Sequence, residues 1–102
     1  MNIQIVETCN LKDFSLDGVR STPLLDDGKV RALLLNLEAG QAVSPCEMSV
    51  PVMYFVVEGQ GYLHMGDEQA GLQTGSLVVV PAKAVRSIAA NERMQVLAVQ
   101  LL

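Results

Sequence analysis

Gly75-Ser76-Leu77-Val78-Val79-Val80-Pro81-Ala82-Lys83-Ala84-Val85-Arg86 is the stretch whose reading decides the fold. Leu77–Val80 is a short run of strand formers. A glycine precedes it, and a proline, which has no N–H to give to a ladder, ends it. A second apolar run opens at Val85. Upstream, Gly40-Gln41-Ala42-Val43-Ser44-Pro45-Cys46-Glu47-Met48 leads through Val52 to Glu58-Gly59-Gln60-Gly61 in the same way. Short apolar stretches alternate with residues that turn the chain.

Worked outward, the pattern covers the whole chain. Strands are expected near Asn2–Val6, Arg31–Leu37, Ala42–Met48, Val52–Val57, Gly61–Met65, Ser76–Val80, Val85–Ala89 and Met94–Leu101, with shorter ones around Arg20–Leu24 and Ala70–Gln73. Asp26-Asp27-Gly28, Glu58-Gly59, Gly66-Asp67 and Asn91-Glu92 supply turn chemistry between them. Leu11–Leu16 is the one stretch with room for a helical turn. Closely spaced strands without a long segment of 3.6-residue period predict an all-β sandwich or barrel. Within Gly61–Met65, alternation puts Leu63 and Met65 on one face and Tyr62 and His64 on the other, so His64 should face solvent. The last strand, Met94–Leu101, is apolar on both faces and calls for cover on both. In so small a domain the second cover is expected to be another copy, making a homodimer.

The 102 residues fit a single domain, 1–102, with one core. Half are hydrophobic and only 18% charged, which excludes a disordered chain. The net charge of −4 and the absence of a Lys/Arg cluster argue against nucleic acid and against an anionic membrane surface. Apolar runs such as Leu77–Val80 are too short to span a bilayer as a helix, and the N-terminus has no basic leader pattern. A cytoplasmic location is the default expectation. Cys9 and Cys46 are far apart and form no Cys-x-x-Cys or Cys/His cluster, so neither a disulfide in a reducing compartment nor a structural zinc site is expected.

The two stretches quoted first resemble, in order and separation, the two signature motifs of the cupins, a superfamily of jelly-roll β-barrels. Gly40 and Gly59 stand where the first motif opens and closes, and Gly75 and Pro81 stand in the frame of the second. The resemblance covers roughly residues 30–102, and residues 1–29 fit as variable N-terminal strands. It implies a cupin-like barrel with a pocket at its mouth. The departures fall on the metal ligands. The two histidine positions of the first motif carry Cys46 and Met48, and its glutamate position carries Val52. In the second motif the histidine position carries Arg86, the glycine position Lys83 and the asparagine position Ala90, with Asn91 one residue late.

Carried over, these positions place Cys46, Met48, Val52 and Arg86 around the pocket, and alternation adds Tyr54, Ala84 and Ile88. Valine has no donor atom and arginine is a fixed cation, so iron, manganese or nickel chemistry is not expected and no cofactor is implied. Cys46 and Met48 offer two soft sulfur atoms to Cu(I), which Arg86 would oppose. Arg86 reads either as a surface residue at a strand end or as a clamp for a carboxylate or phosphate. Cys46 reads as a small apolar residue or as a thiol activated by Arg86, although no base is evident beside it. Tyr54 reads as a core aromatic or as a hydroxyl donor in the pocket. Three functions stay open. The first is a metal-free barrel binding a small organic anion, as a sensor or accessory protein. The second is a metal-independent enzyme using Cys46 or Arg86. The third is a dimerisation module whose barrel is plugged by side chains such as Met48, Met53 and Met65.

Overall fold

The computed structural model describes residues 4–102. Eight strands run in chain order: β1 (Arg20–Asp26), β2 (Val30–Leu37), β3 (Val52–Glu58), β4 (Gln60–Met65), β5 (Glu68–Gln73), β6 (Leu77–Val80), β7 (Arg86–Ala90) and β8 (Met94–Leu101). They form two antiparallel sheets, a larger one ordered β1-β2-β8-β3-β6 and a smaller one ordered β5-β4-β7. The architecture is an all-β jelly roll.

Alternation decides what each strand buries. β3 turns Val52, Tyr54 and Val56 inward and β8 turns in Met94, Val96 and Ala98. From the small sheet come Leu63 of β4, Leu72 of β5 and Ile88 and Ala90 of β7. Leu63 is buried and His64 exposed, as the sequence pattern required, with Tyr62 on the outer side beside His64.

The large sheet is apolar on its outer face too. Register places Leu77, Phe55, Leu97 and Leu34 in one cross-strand row, and Val79, Met53, Val99 and Ala32 in the next. At the β1–β2 end the N-terminal segment covers this face. Asn36 Nδ2 donates to the Leu11 carbonyl and Gln95 Nε2 to the Thr8 carbonyl, both at 2.9 Å. At the β6 end none of the described residues covers it: Leu77 is 61% and Val79 60% exposed.

Several local expectations need correction. The strand expected over Ala42–Met48 is reduced to two isolated bridges, Ala42 to Ala89 and Cys46 to Arg86. Between them the register slips by one residue, with the Val43 N–H donating to the Ile88 carbonyl at 2.8 Å in place of the Ser44 N–H. The helical turn lies at Thr8–Asn10 as a 3-10 turn, not over Leu11–Leu16. The carbonyls of Leu11 and Ser15 are instead held by the Asn36 and Gln41 side chains. Residues 2–3 of the strand expected at Asn2–Val6 lie outside the described residues, and Gln4–Val6 join no ladder. The two short strands were underestimated, since β1 runs on to Asp26 and β5 begins at Glu68.

Candidate functional site

Arg86 opens β7, and its position in the ladder sends its side chain inward. It pairs with Met65 of β4 on one side and with Cys46 on the other, where each backbone N–H donates to the other's carbonyl at 2.9 Å. The side chain is only 1% exposed, so the surface reading of Arg86 does not hold. Nε donates to Tyr54 Oη at 3.1 Å and Nη1 donates to the Ala84 carbonyl at 2.8 Å. Nη2 is buried and has no acceptor.

Burying a cation is costly unless an opposite charge accompanies it. Among the described residues the ion pairs are Lys12–Glu58, Arg20–Asp13, Arg31–Asp26 and Arg93–Glu38, and none includes Arg86. Arg86 is therefore a buried guanidinium whose partners are one hydroxyl and one carbonyl. Tyr54 contributes from β3, where it is enclosed between Val78 of β6 and Ala98 of β8. Its oxygen accepts from Arg86, which leaves its proton to be donated. What the pair has left to offer is hydrogen-bond donors alone.

The other predicted positions are not gathered equally. Val52 is buried in the core and Met48 packs partly against it. Cys46 lies beside Arg86 through the backbone, but the residue is exposed and its thiol free. Ala84 is joined to Arg86 by the hydrogen bond from Nη1, and Ile88 is a core residue. Met65, absent from the positions inferred for the pocket, is the direct ladder partner of Arg86. Carrying the inward alternation of Leu63 two residues further, onto β7's neighbour, is the signal that finds it.

Lys83 carries the family's glycine position into the structure. Its φ is 70°, the only positive value at a non-glycine among the described residues. A side chain there is strained by about 1–2 kcal/mol. The Lys83 N–H donates to the Met48 carbonyl at 2.7 Å, and the Ala84 N–H reaches the Pro81 carbonyl at 3.4 Å, which fixes the turn leading to Arg86. Beside this turn lies an open hollow of about 640 Å³ lined by Met65, Gly66, Asp67, Glu68, Pro81, Ala84 and Val85. Its wall is apolar and its rim carries two carboxylates.

Two carboxyl groups elsewhere in the molecule are shifted downward. The Arg93 guanidinium beside Glu38 holds that carboxyl below the usual range, and backbone N–H groups of Lys29 and Val30 do the same for Asp27. The site itself holds no acid–base pair.

A cupin metal centre needs imidazole and carboxylate ligands converging at the barrel mouth. Among the described residues no group of three or more His, Cys, Asp or Glu side chains converges anywhere. At the ligand positions stand an exposed thiol, a thioether, a valine and a buried cation. This donor set does not fit such a metal.

No family model matches the chain, and no curated protein matches it. Solved structures do. An RmlC-like cupin protein from Desulfovibrio desulfuricans superposes with a TM-score of 0.91 at 16% identity, covering 98% of this chain and 97% of that one. A cupin superfamily protein from Desulfitobacterium hafniense gives 0.89 at 22% identity, with 100% and 94% covered. Salicylate 1,2-dioxygenase from Pseudoaminobacter salicylatoxidans, in complex with gentisate, gives 0.78 at 20% identity over 82% of this chain and 25% of its own. The chain has the cupin fold. Among the described residues no helix is long and apolar enough to cross a membrane.

Proposed function

We propose that this cupin-fold barrel binds a small organic anion at Arg86, as a sensor or accessory protein rather than through metal chemistry. One observation carries the reading: a guanidinium that is 1% exposed, pairs with no carboxylate and has Nη2 without an acceptor. A bound anion supplies the missing charge and acceptor together. Reaching Nη2 requires a side chain to move, and the partly buried Met48 and Met65, with their flexible thioether chains, are suited to that. The fold is compatible with small organic anions, since salicylate 1,2-dioxygenase was obtained in complex with gentisate.

Native mass spectrometry of untagged protein purified without chelators tests the reading. The expected result is extra mass on the folded protein that is lost on denaturation and is missing from Arg86→Ala. Extra mass retained by that variant would remove Arg86 from the site.

A filled barrel is the second reading, favoured by the near-complete burial of Val52, Tyr54, Val80 and Ile88 in the core. Both readings share a dimer. We infer that two copies pair through the uncovered end of the large sheet, where Leu77, Val79 and Phe55 are exposed next to one another and continue into Met53, Leu97 and Val99. Light scattering after size exclusion is expected to give a dimer that Val79→Lys converts to monomer. A monomeric parent protein would refute the pairing.

A further inference from the structure

The charge count around Arg86 narrows the ligand beyond "a small anion". Resting on the anion-binding reading, we infer that the ligand is a monocarboxylate with an apolar tail, held by Nη2 of Arg86 and the hydroxyl of Tyr54.

One cation neutralises one negative charge. Among the described residues no ion pair involves Lys83, and Lys83 is on an exposed turn, so Arg86 is the buried charge that a ligand meets. A phosphate dianion or a dicarboxylate would leave a second negative charge inside the barrel without compensation. Arg86 itself lines a hollow with Pro45, His64, Gly66, Val85 and Ser87. The adjoining hollow shares Gly66 and Val85 with it and carries Asp67 and Glu68, whose field disfavours each further negative charge on a ligand.

The donors match a carboxylate. Nε and Nη1 are committed to Tyr54 and Ala84, so Nη2 remains as the free end of the guanidinium. Tyr54 Oη is 3.1 Å from Nε and, having accepted that bond, has one proton to give. A carboxylate brings two oxygens, one for each donor, and hydrogen bonds to an ionised group are the stronger kind. The wall of the adjoining hollow, Met65, Pro81, Ala84 and Val85, offers nothing polar from its side chains and suits a hydrocarbon tail.

Calorimetric titration of the full chain with hexanoate, succinate and inorganic phosphate, at neutral pH and matched ionic strength, tests this. Hexanoate is expected to bind at least about tenfold more tightly than either of the others, equivalent to about 1.4 kcal/mol. Tyr54→Phe, which keeps the ring, is expected to weaken hexanoate about tenfold, in line with loss of a hydrogen bond to a charged group. Arg86→Met is expected to abolish binding, with circular dichroism confirming that both variants fold. Phosphate or succinate binding as tightly as hexanoate would overturn the monocarboxylate assignment and leave anion binding at Arg86 standing. Unchanged affinity in Tyr54→Phe would remove the hydroxyl from the site. No binding of any probe would overturn this inference together with the anion reading beneath it.

Discussion

The two ends of the β4–β7 ladder are built to opposite standards. At one end Gly61 faces Ala90, and at the other Met65 faces Arg86. The Gly61 end has no room. A Cβ there would overlap the Ala89 carbonyl oxygen and come within 2.6 Å of the Met94 sulfur. Gly59 is equally confined, with φ of 103° and the Arg93 carbonyl where a Cβ would stand. The Arg86 end is less complete. It buries a charge without a counter-charge, leaves Nη2 unbonded and holds Lys83 in a backbone conformation suited to glycine. Close packing marks one end of the ladder and unmet hydrogen-bonding capacity the other.

Substitutions at the two ends should therefore differ in sign. The largest effect is expected from Gly61→Ala, a loss of about 3 kcal/mol or more in urea unfolding, because the obstructing atom belongs to the backbone of the neighbouring strand. A loss within experimental error would show that the ladder can relax and would dissolve the contrast. Arg86→Met should act in the opposite direction. In protein freed of small anions it is expected to raise stability by about 1 kcal/mol or more, since an unpaired buried charge gives way to an apolar side chain. Destabilisation of comparable size would mean that the bonds to Tyr54 and Ala84 already compensate the charge. The smallest effect is expected from Lys83→Gly, a gain of about 0.5–1 kcal/mol in thermal unfolding, as relief of left-handed strain exceeds the added freedom of glycine in the unfolded chain.

The frame of the molecule was legible because it rests on local chemistry. Gly40, Gly59, Gly75 and Pro81 announce turns and strand ends by themselves, and alternation along Gly61–Met65 identifies the buried face without reference to the rest of the chain. The same local reading failed over Ala42–Met48. Strand propensity there is real, but the register slips by one residue between Ala42 and Cys46, and the segment bridges β7 only at separate points. It also misplaced the helical turn, because the Leu11 and Ser15 carbonyls are claimed by Asn36 and Gln41, residues 25 and 26 positions away.

The site was legible as positions and not as states. The resemblance to the cupin motifs singled out Cys46, Met48, Val52 and Arg86, and alternation added Tyr54, yet nothing in the residue order separates an exposed Arg86 from a buried one. Likewise the placement of Lys83 at a glycine position was visible, while its positive φ was not.

What the sequence by itself determined is most of the strands, their turns and the chemical character of the residues standing at the motif positions, since these follow from propensity, period and residue type. Only the tertiary structure decided that Tyr54 from β3 and Ala84 from the turn before β7 take up two nitrogens of Arg86 and leave the third without an acceptor. Burial and hydrogen-bond satisfaction depend on which strands are brought together in space, and β3 and β7 belong to different sheets.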